Sequence, residues 1–205
     1  MAGSAMNEKL RLISLLLFAG VLAACSPTKP AAQNAQPPLA GARIGGPFML
    51  TNQDGKSVSD RDFAGQYRII YFGYTYCPDV CPVDVQNIAL AMHSLEKSNP
   101  ALAARIVPIF ITVDPERDTP AVLKQFVTAF HPRLVGLTGS PAEIKAVKDE
   151  FAIYSQAEAK RPDGGYIVNH SRQAYLFSPD GKPLALLPQD KAPADMVADI
   201  ERWAR

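Results

Sequence analysis

Two cysteines separated by three residues, Cys77 and Cys81, follow an apolar run, Ile69-Ile70-Tyr71-Phe72, and precede a proline, Pro82. A short, continuously apolar run suits a strand buried on both faces of a sheet. Proline lacks an N–H and is tolerated only in the first turn of a helix, so a helix starts between about Asp79 and Cys81. Cys77 then lies in the loop ahead of that helix and Cys81 within its first turn. Both thiols face the positive end of the helix dipole, which lowers thiol pKa, and the thiolate is both the nucleophile and the metal ligand. The loop is one residue longer than the usual Cys-x-x-Cys redox loop, yet short enough to close a disulfide.

Along the chain, Phe48-Met49-Leu50 and Ser57-Val58-Ser59 flank Asp54-Gly55 and predict a small hairpin. The apolar run extends from Arg68 to Tyr74 as a strand. Val85, Ile88, Ala89, Met92 and Leu95 recur at helical spacing until Asn99-Pro100 stops the helix. Ile106 to Val113 reads as a second buried strand, with Pro108 the one residue arguing against it. Thr119-Pro120 and Ser140-Pro141 each pair a capping side chain with a first-turn proline, opening helices to Phe130 and to about Phe151. Ala174–Phe177 and Leu184–Leu187 form a hairpin around Ser178-Pro179-Asp180-Gly181, and a helix closes the chain from Pro193 to Trp203. This order predicts an α/β, thioredoxin-like fold: a central mixed β-sheet flanked by helices, with an N-terminal hairpin. The cysteines sit at the C-terminal end of the first core strand, where open α/β sheets carry their sites.

Two thiolates are soft donors that suit Cu(I), with Zn(II) as competitor, and a neutral imidazole would complete a trigonal site. Three histidines are available. His93 is twelve residues past Cys81 on the same helix, about 18 Å away at 1.5 Å per residue, and does not reach. His131 follows the helix from Thr119 and reads as a capping or surface residue. His170, alone, reads as a structural side chain; just ahead of the last hairpin, beside the cysteine loop in a thioredoxin-like sheet, it is the best third ligand.

The first residues are of another kind. Lys9 and Arg11 precede an uncharged run, Leu12 to Ala24, shorter than the roughly 20 residues a membrane-spanning helix needs. Residues 1–24 read as a signal peptide. Leu22-Ala23-Ala24-Cys25 resembles the lipobox of bacterial lipoproteins, which implies export, cleavage before Cys25, its acylation, and a periplasmic domain held to a membrane by that lipid. Residues 25–45, rich in Pro, Ala and Gln, read as a disordered tether, leaving 46–205 as the folded domain. With Cys25 consumed by lipid, Cys77 and Cys81 remain as a pair with no odd thiol. Exported dithiols tend to oxidise, so a working thiol pair there needs a reductant or a metal. A formal charge of +1 without a basic block argues against a nucleic-acid partner.

Gly73-Tyr74-Thr75-Tyr76-Cys77-Pro78-Asp79-Val80-Cys81-Pro82, Thr112-Val113-Asp114-Pro115-Glu116-Arg117-Asp118-Thr119-Pro120, His131-Pro132-Arg133, Gly136-Leu137-Thr138-Gly139 and His170-Ser171 with Ser178-Pro179-Asp180-Gly181 together resemble the Sco/SenC family. These are thioredoxin-like copper chaperones that help build the dinuclear CuA centre of cytochrome c oxidase. From about Gly46 to Arg205, the resemblance implies copper ligands Cys77, Cys81 and His170, for Cu(I), Cu(II) or both. It implies as partners the oxidase subunit carrying CuA and a periplasmic copper donor. It places Asp114 near the metal; read alone, Asp114 to Asp118 is an ordinary charged loop on the same sheet edge. Family members often carry His at position 76 and Asp at 169, where this chain has Tyr76 and Asn169. Tyr74 and Tyr76 are expected to pack around the site.

Two functions share the cysteine pair. One is metal transfer, which makes no bond in a substrate and so is not primarily enzymatic. The other is thiol–disulfide exchange, with one cysteine attacking a partner disulfide and the other resolving it. His170-Ser171 stands where thioredoxins carry a substrate-receiving cis-proline, which argues against a generic thioredoxin. A thiol peroxidase wants a threonine three residues before its cysteine, and Thr75 is two before Cys77.

Overall fold

In the computed structural model, which describes residues 35–205, the Asp54-Gly55 turn joins β1 (Met49–Asn52) to β2 (Ser57–Ser59) as the pattern predicts. Asn52 Oδ1 accepts from the N–H groups of Asp54 and Lys56, and Gly55 takes the positive φ that the turn needs. β3 (Tyr67–Gly73) has all seven residues buried, and its side chains alternate between two apolar layers. Tyr71 faces α1 (Val80–Ser98), where its hydroxyl donates to Asp84. Phe72 packs on the opposite face against Phe151, ring centroids 5.4 Å apart.

A single turn, α2 (Pro100–Ala103), follows the stop at Asn99, whose side chain caps it. β4 (Ile106–Thr112) runs parallel to β3 with Gly73 opposite Thr112, which brings the two strand ends together. Pro108 is tolerated there because pairing with the next strand begins only at Ile109. α3 (Pro120–Phe130) and α4 (Pro141–Glu150) start as read, with Thr119 and Ser140 accepting from Val122 N–H and Glu143 N–H. Between them lies β5 (Val135–Thr138), parallel to β4, a strand the apolar pattern is too short to announce. Two more unannounced strands, β6 (Ser155–Ala157) and β7 (Val168–His170), form a separate antiparallel ribbon. β8 (Ala174–Phe177) and β9 (Pro183–Leu187) make the expected hairpin, and α5 (Pro193–Trp203) ends the chain.

The main sheet has the order β2-β1-β5-β4-β3-β8-β9, with β3, β4 and β5 parallel and both flanks antiparallel. This is the mixed, helix-flanked, thioredoxin-like sheet with its N-terminal hairpin at one edge. The folded unit begins at Gln36, ahead of the boundary expected at residue 46. Leu39 N–H donates to Leu184 and Gly45 N–H to Glu150, while Leu39 and Ile44 pack on the core. Two backbone bonds and two aliphatic side chains thus bind a stretch whose composition reads as tether. The expected signal peptide, residues 1–24, and the lipidation site Cys25 lie outside the described residues. No described helix is long and apolar enough to cross a membrane.

Candidate metal centre

The site forms where β3 runs out and α1 begins. Asp79 occupies the N-cap position of α1, without a side-chain capping bond, and Pro82 lies in its first turn, so Cys77 stands in the loop, half-buried, and Cys81 is fully buried on the helix. Both are free thiols. Cys81 N–H points at Cys77 Sγ, 3.5 Å away, which directs an unpaired helix N–H at the sulfur. His170 ends β7, and its Nε2 lies 3.2 Å from Cys81 Sγ. One donor atom from each of Cys77, Cys81 and His170 falls within 4.8 Å of the other two. The Nδ1–H of His170 donates to its neighbour's carbonyl, Ser171 O, at 2.7 Å. That bond leaves the Nε2 lone pair free toward the sulfurs, the tautomer a metal needs.

The ribbon carrying His170 is held from both sides. Val168 N–H donates to the Tyr74 hydroxyl, and the buried Tyr74 ring meets the His170 imidazole edge-on at 5.8 Å. Ser171 exchanges two hydrogen bonds with Tyr154 through its N–H and its hydroxyl. The two sulfurs differ electrostatically. Burial pushes Cys77 up, but the N–H groups of Cys81, Asp79 and Val80 and the Cys81 thiol outweigh it, leaving its pKa below the ordinary value. Burial pushes the Cys81 thiol up to about 12, with Cys77 adding to the rise. Burial also lowers the His170 pKa, keeping the ring neutral.

The SCO1/SenC family model matches residues 36–205, the whole of the folded unit. The chain belongs to the SCO1/SenC family. An SCO2-like protein of Rickettsia felis is 36% identical over 190 residues, covering 90% of this chain and 91% of its own. Bradyrhizobium japonicum ScoI, solved with copper bound, is 40% identical with a TM-score of 0.71, covering 78% of this chain and 99% of that one. BsSco, a member of the Sco family of cytochrome c oxidase assembly proteins in which a disulfide switch was identified, is 30% identical with a TM-score of 0.62, covering 82% and 96%. The chain spans about half the length of the first curated relatives it matches, 42% of a mitochondrial SCO1 homologue from Arabidopsis thaliana and 48% of an SCO2 homologue from Danio rerio.

Within this SCO1/SenC site, the residues around the donors divide differently from expectation. Asp114 is buried but bonds none of Cys77, Cys81 and His170; its carboxylate accepts from Arg117 Nε at 2.5 Å and the Tyr166 hydroxyl at 2.7 Å. Arg117 in turn lies 3.6 Å over the Tyr166 ring and 5.5 Å over Tyr74, so Asp114 reaches the site through intermediaries. Asp118, which the sequence did not single out, is fully buried and accepts from Thr75 N–H, Thr75 Oγ1 and Thr112 Oγ1. It ties the start of the cysteine loop to the end of β4. The only hint was a threonine inside the cysteine motif, and the partner four residues past Asp114 became evident only when β3 and β4 lay side by side. Tyr76 is exposed rather than packed, with Arg117 5.0 Å over its ring. Asn169 is exposed and donates to Glu158, since strand alternation turns it away from the face of His170.

His131 caps α3 as expected but is buried, not superficial. Its ring lies 4.4 Å from that of His93, with Glu96 beside both. His131 Nδ1 accepts from Arg133 N–H, which puts the proton of the neutral ring on Nε2, 3.3 Å from Glu96. Arg133 stands 3.6 Å from the same carboxylate. With the neutral His131 ring presenting an N–H and Arg133 pairing with Glu96, this cluster is unsuited to a cation.

Proposed function

We propose that Cys77, Cys81 and His170 take up a copper ion as cargo and hand it to the dinuclear copper centre of cytochrome c oxidase. The observation that carries this reading is the unprotonated His170 Nε2 placed 3.2 Å from Cys81 Sγ with Cys77 Sγ alongside. Two sulfurs and an imidazole nitrogen form a donor set suited to Cu(I). Bond lengths like those found at zinc, about 2.3 Å to sulfur and about 2.0 Å to nitrogen, would put the two donors of a trigonal site about 3.8 Å apart. The 3.2 Å contact is therefore a hydrogen-bonded, metal-free spacing that opens by roughly half an ångström on loading. Uptake starts at Cys77, whose sulfur is nearer solvent and more readily ionised. It is completed as the Cys81 thiol gives up its proton in exchange for the metal bond. Release runs in reverse, with an incoming thiolate or imidazole of the acceptor replacing Cys77 first.

The N-terminal segment supplies the setting in this reading: export, lipid attachment at Cys25 and a membrane-bound domain in the periplasm, loaded by a donor there. Asp114 supports the site through Arg117 and Tyr166. The test is copper titration of the full chain and of His170→Ala. The variant should bind copper at least tenfold more weakly while its Cys77–Cys81 disulfide still forms and reduces. Native stoichiometry and affinity in His170→Ala would overturn the ligand assignment.

One observation favours a second reading, the unequal placement of the two thiols, Cys77 half-exposed with the Cys81 N–H aimed at its sulfur and Cys81 fully buried. A Cys77 thiolate would attack a disulfide of the partner, forming a mixed disulfide. Cys81, losing its proton, would then attack Cys77 Sγ, leaving an oxidised pair here and a dithiol on the partner. That activity should survive in His170→Ala, whereas copper transfer should not.

A further inference from the structure

His170 is the one proposed ligand that comes from outside the cysteine loop, 89 residues along the chain from Cys81. It sits at the end of a three-residue strand whose only pairing among the described residues is to the equally short β6. The Tyr74 and Tyr154 contacts hold the ribbon, but neither ties it to α1, the helix that carries Cys81. Two residues further on, Arg172 turns back onto α1 and clamps Asp84 with Nε at 3.1 Å and Nη2 at 2.8 Å. Asp84 is one turn beyond Cys81, has no solvent exposure, and also accepts from the Tyr71 hydroxyl at 2.8 Å. The Arg172 backbone is braced as well: Gln189 Nε2 donates to its carbonyl at 2.6 Å, and Asn87 on α1 donates to the Gln189 carbonyl.

From this geometry we propose that Arg172 is a positioning residue: its ion pair with Asp84 is a strut that sets the distance from His170 to the cysteine sulfurs and so tunes how tightly copper is held. The proposal rests on the ligand set given above and adds to it. Arginine suits the task because its planar fork takes both carboxylate oxygens at once, and two parallel bonds fix direction where a single bond would swivel. The carboxylate is itself immobile, buried on the helix that carries Cys81 and tied to β3 through Tyr71. The ribbon is thereby locked to the helix two residues from one ligand and three from another. Without Arg172, the Ser171–Tyr154 bonds and the Tyr74 contacts still tether the ribbon on its other side, while its link to α1 is left to the Gln189–Asn87 brace and the Cys81–His170 contact itself.

The test compares five full-length proteins: the parent, His170→Ala, Arg172→Met, Arg172→Lys, and the double variant Asp84→Asn/Arg172→Met. The double variant removes the unpaired buried carboxylate that Arg172→Met alone would leave, so it reports on the strut even where the single variant folds poorly. Cu(I) affinity is read by competition with a chromogenic chelator. Cu(II) loaded into the same proteins is read by electron paramagnetic resonance for nitrogen coupling. Both proteins with Arg172→Met should bind Cu(I) about 10- to 100-fold more weakly, the range for losing a group that orients a ligand, with nitrogen coupling reduced or heterogeneous. Arg172→Lys, which keeps the charge but only one bond, should fall between. A merely structural role for Arg172 would lower thermal stability and leave the nitrogen signal intact. If His170→Ala loses copper while the double variant keeps parental affinity and spectrum, the strut is overturned and the ligand set stands. If His170→Ala binds as the parent does, the ligand set falls and the strut with it.

Discussion

Gly73→Ala measures how closely the strand end is fitted to the cysteine site. Gly73 is the last residue of β3, and a Cβ there would stand 2.9 Å from Tyr71 Cε1, 3.0 Å from Phe110 Cε2 and 3.2 Å from Cys81 Sγ. Favourable non-bonded separations are about 3.5–4.0 Å, so each neighbour would have to retreat by several tenths of an ångström. None is a flexible chain end. Tyr71 is tethered to Asp84, Phe110 is fully buried, and Cys81 is on the helix. Gly73 has no positive φ, so alanine brings no backbone strain and the cost is steric. Forcing a methyl into a packed core costs about 1–3 kcal/mol. Alanine recovers about 0.4–1 kcal/mol by restricting the unfolded chain. The net expectation is a loss of about 1–2 kcal/mol, seen as a lower denaturant midpoint at unchanged slope for the reduced, copper-free protein. Because one of the three clashes is with a proposed copper ligand, Cu(I) affinity should fall in the same variant. A midpoint within about 0.5 kcal/mol of the parent, with copper affinity unmoved, would refute the packing argument, since surface-like substitutions behave that way.

Alkylation of the reduced, copper-free protein should label Cys77 well before Cys81, because Cys77 is half-exposed with a lowered pKa while Cys81 is buried with a pKa raised to about 12; mass mapping of partially labelled protein checks the order. Asp118→Ala should destabilise the fold by about 2–3 kcal/mol in urea, since it strips the acceptor from Thr75 and Thr112 inside the core. Arg133→Met should cost about 1–3 kcal/mol, because its guanidinium serves the carbonyls of Ala103, Ala104 and Ile106. Burial lowers the pKa of His131 in the folded state, so below about pH 6.5 the unfolded chain takes up a proton that the folded one refuses. Stability is therefore fully present above that pH and declines as pH falls below it. His131→Gln should flatten this decline in denaturant titrations at several pH values.

Features legible in the sequence are those whose causes lie within a few residues. The doubly buried β3 is announced by its apolar run, α1 by Pro82, and α3 and α4 by Thr119-Pro120 and Ser140-Pro141. The spacing of Cys77 and Cys81 and the helix start between them place two sulfurs at one strand end with no help from the rest of the chain. What stayed illegible is short or distant. β5, β6 and β7 have three or four residues each, too few for a period to show, and they exist because neighbours supply their pairing. Leu39 and Ile44 look like tether because their packing partners are elsewhere in the chain.

The choice of Asp114 over Asp118 shows the boundary plainly: both stand in one charged loop, and only the parallel register of β3 and β4 decides which of them meets Thr75. Local chemistry thus determined the strand, the helix and the pair of thiols. His170 could be picked out only through the sheet order expected of the whole chain; the tertiary structure set its 3.2 Å approach to Cys81 from 89 residues away and decided that Arg172 would hold it there. Contacts over that separation depend on sheet order and loop closure, so Arg172 and Asp84, whose neighbours in sequence give no hint of a partner, were found only in the fold.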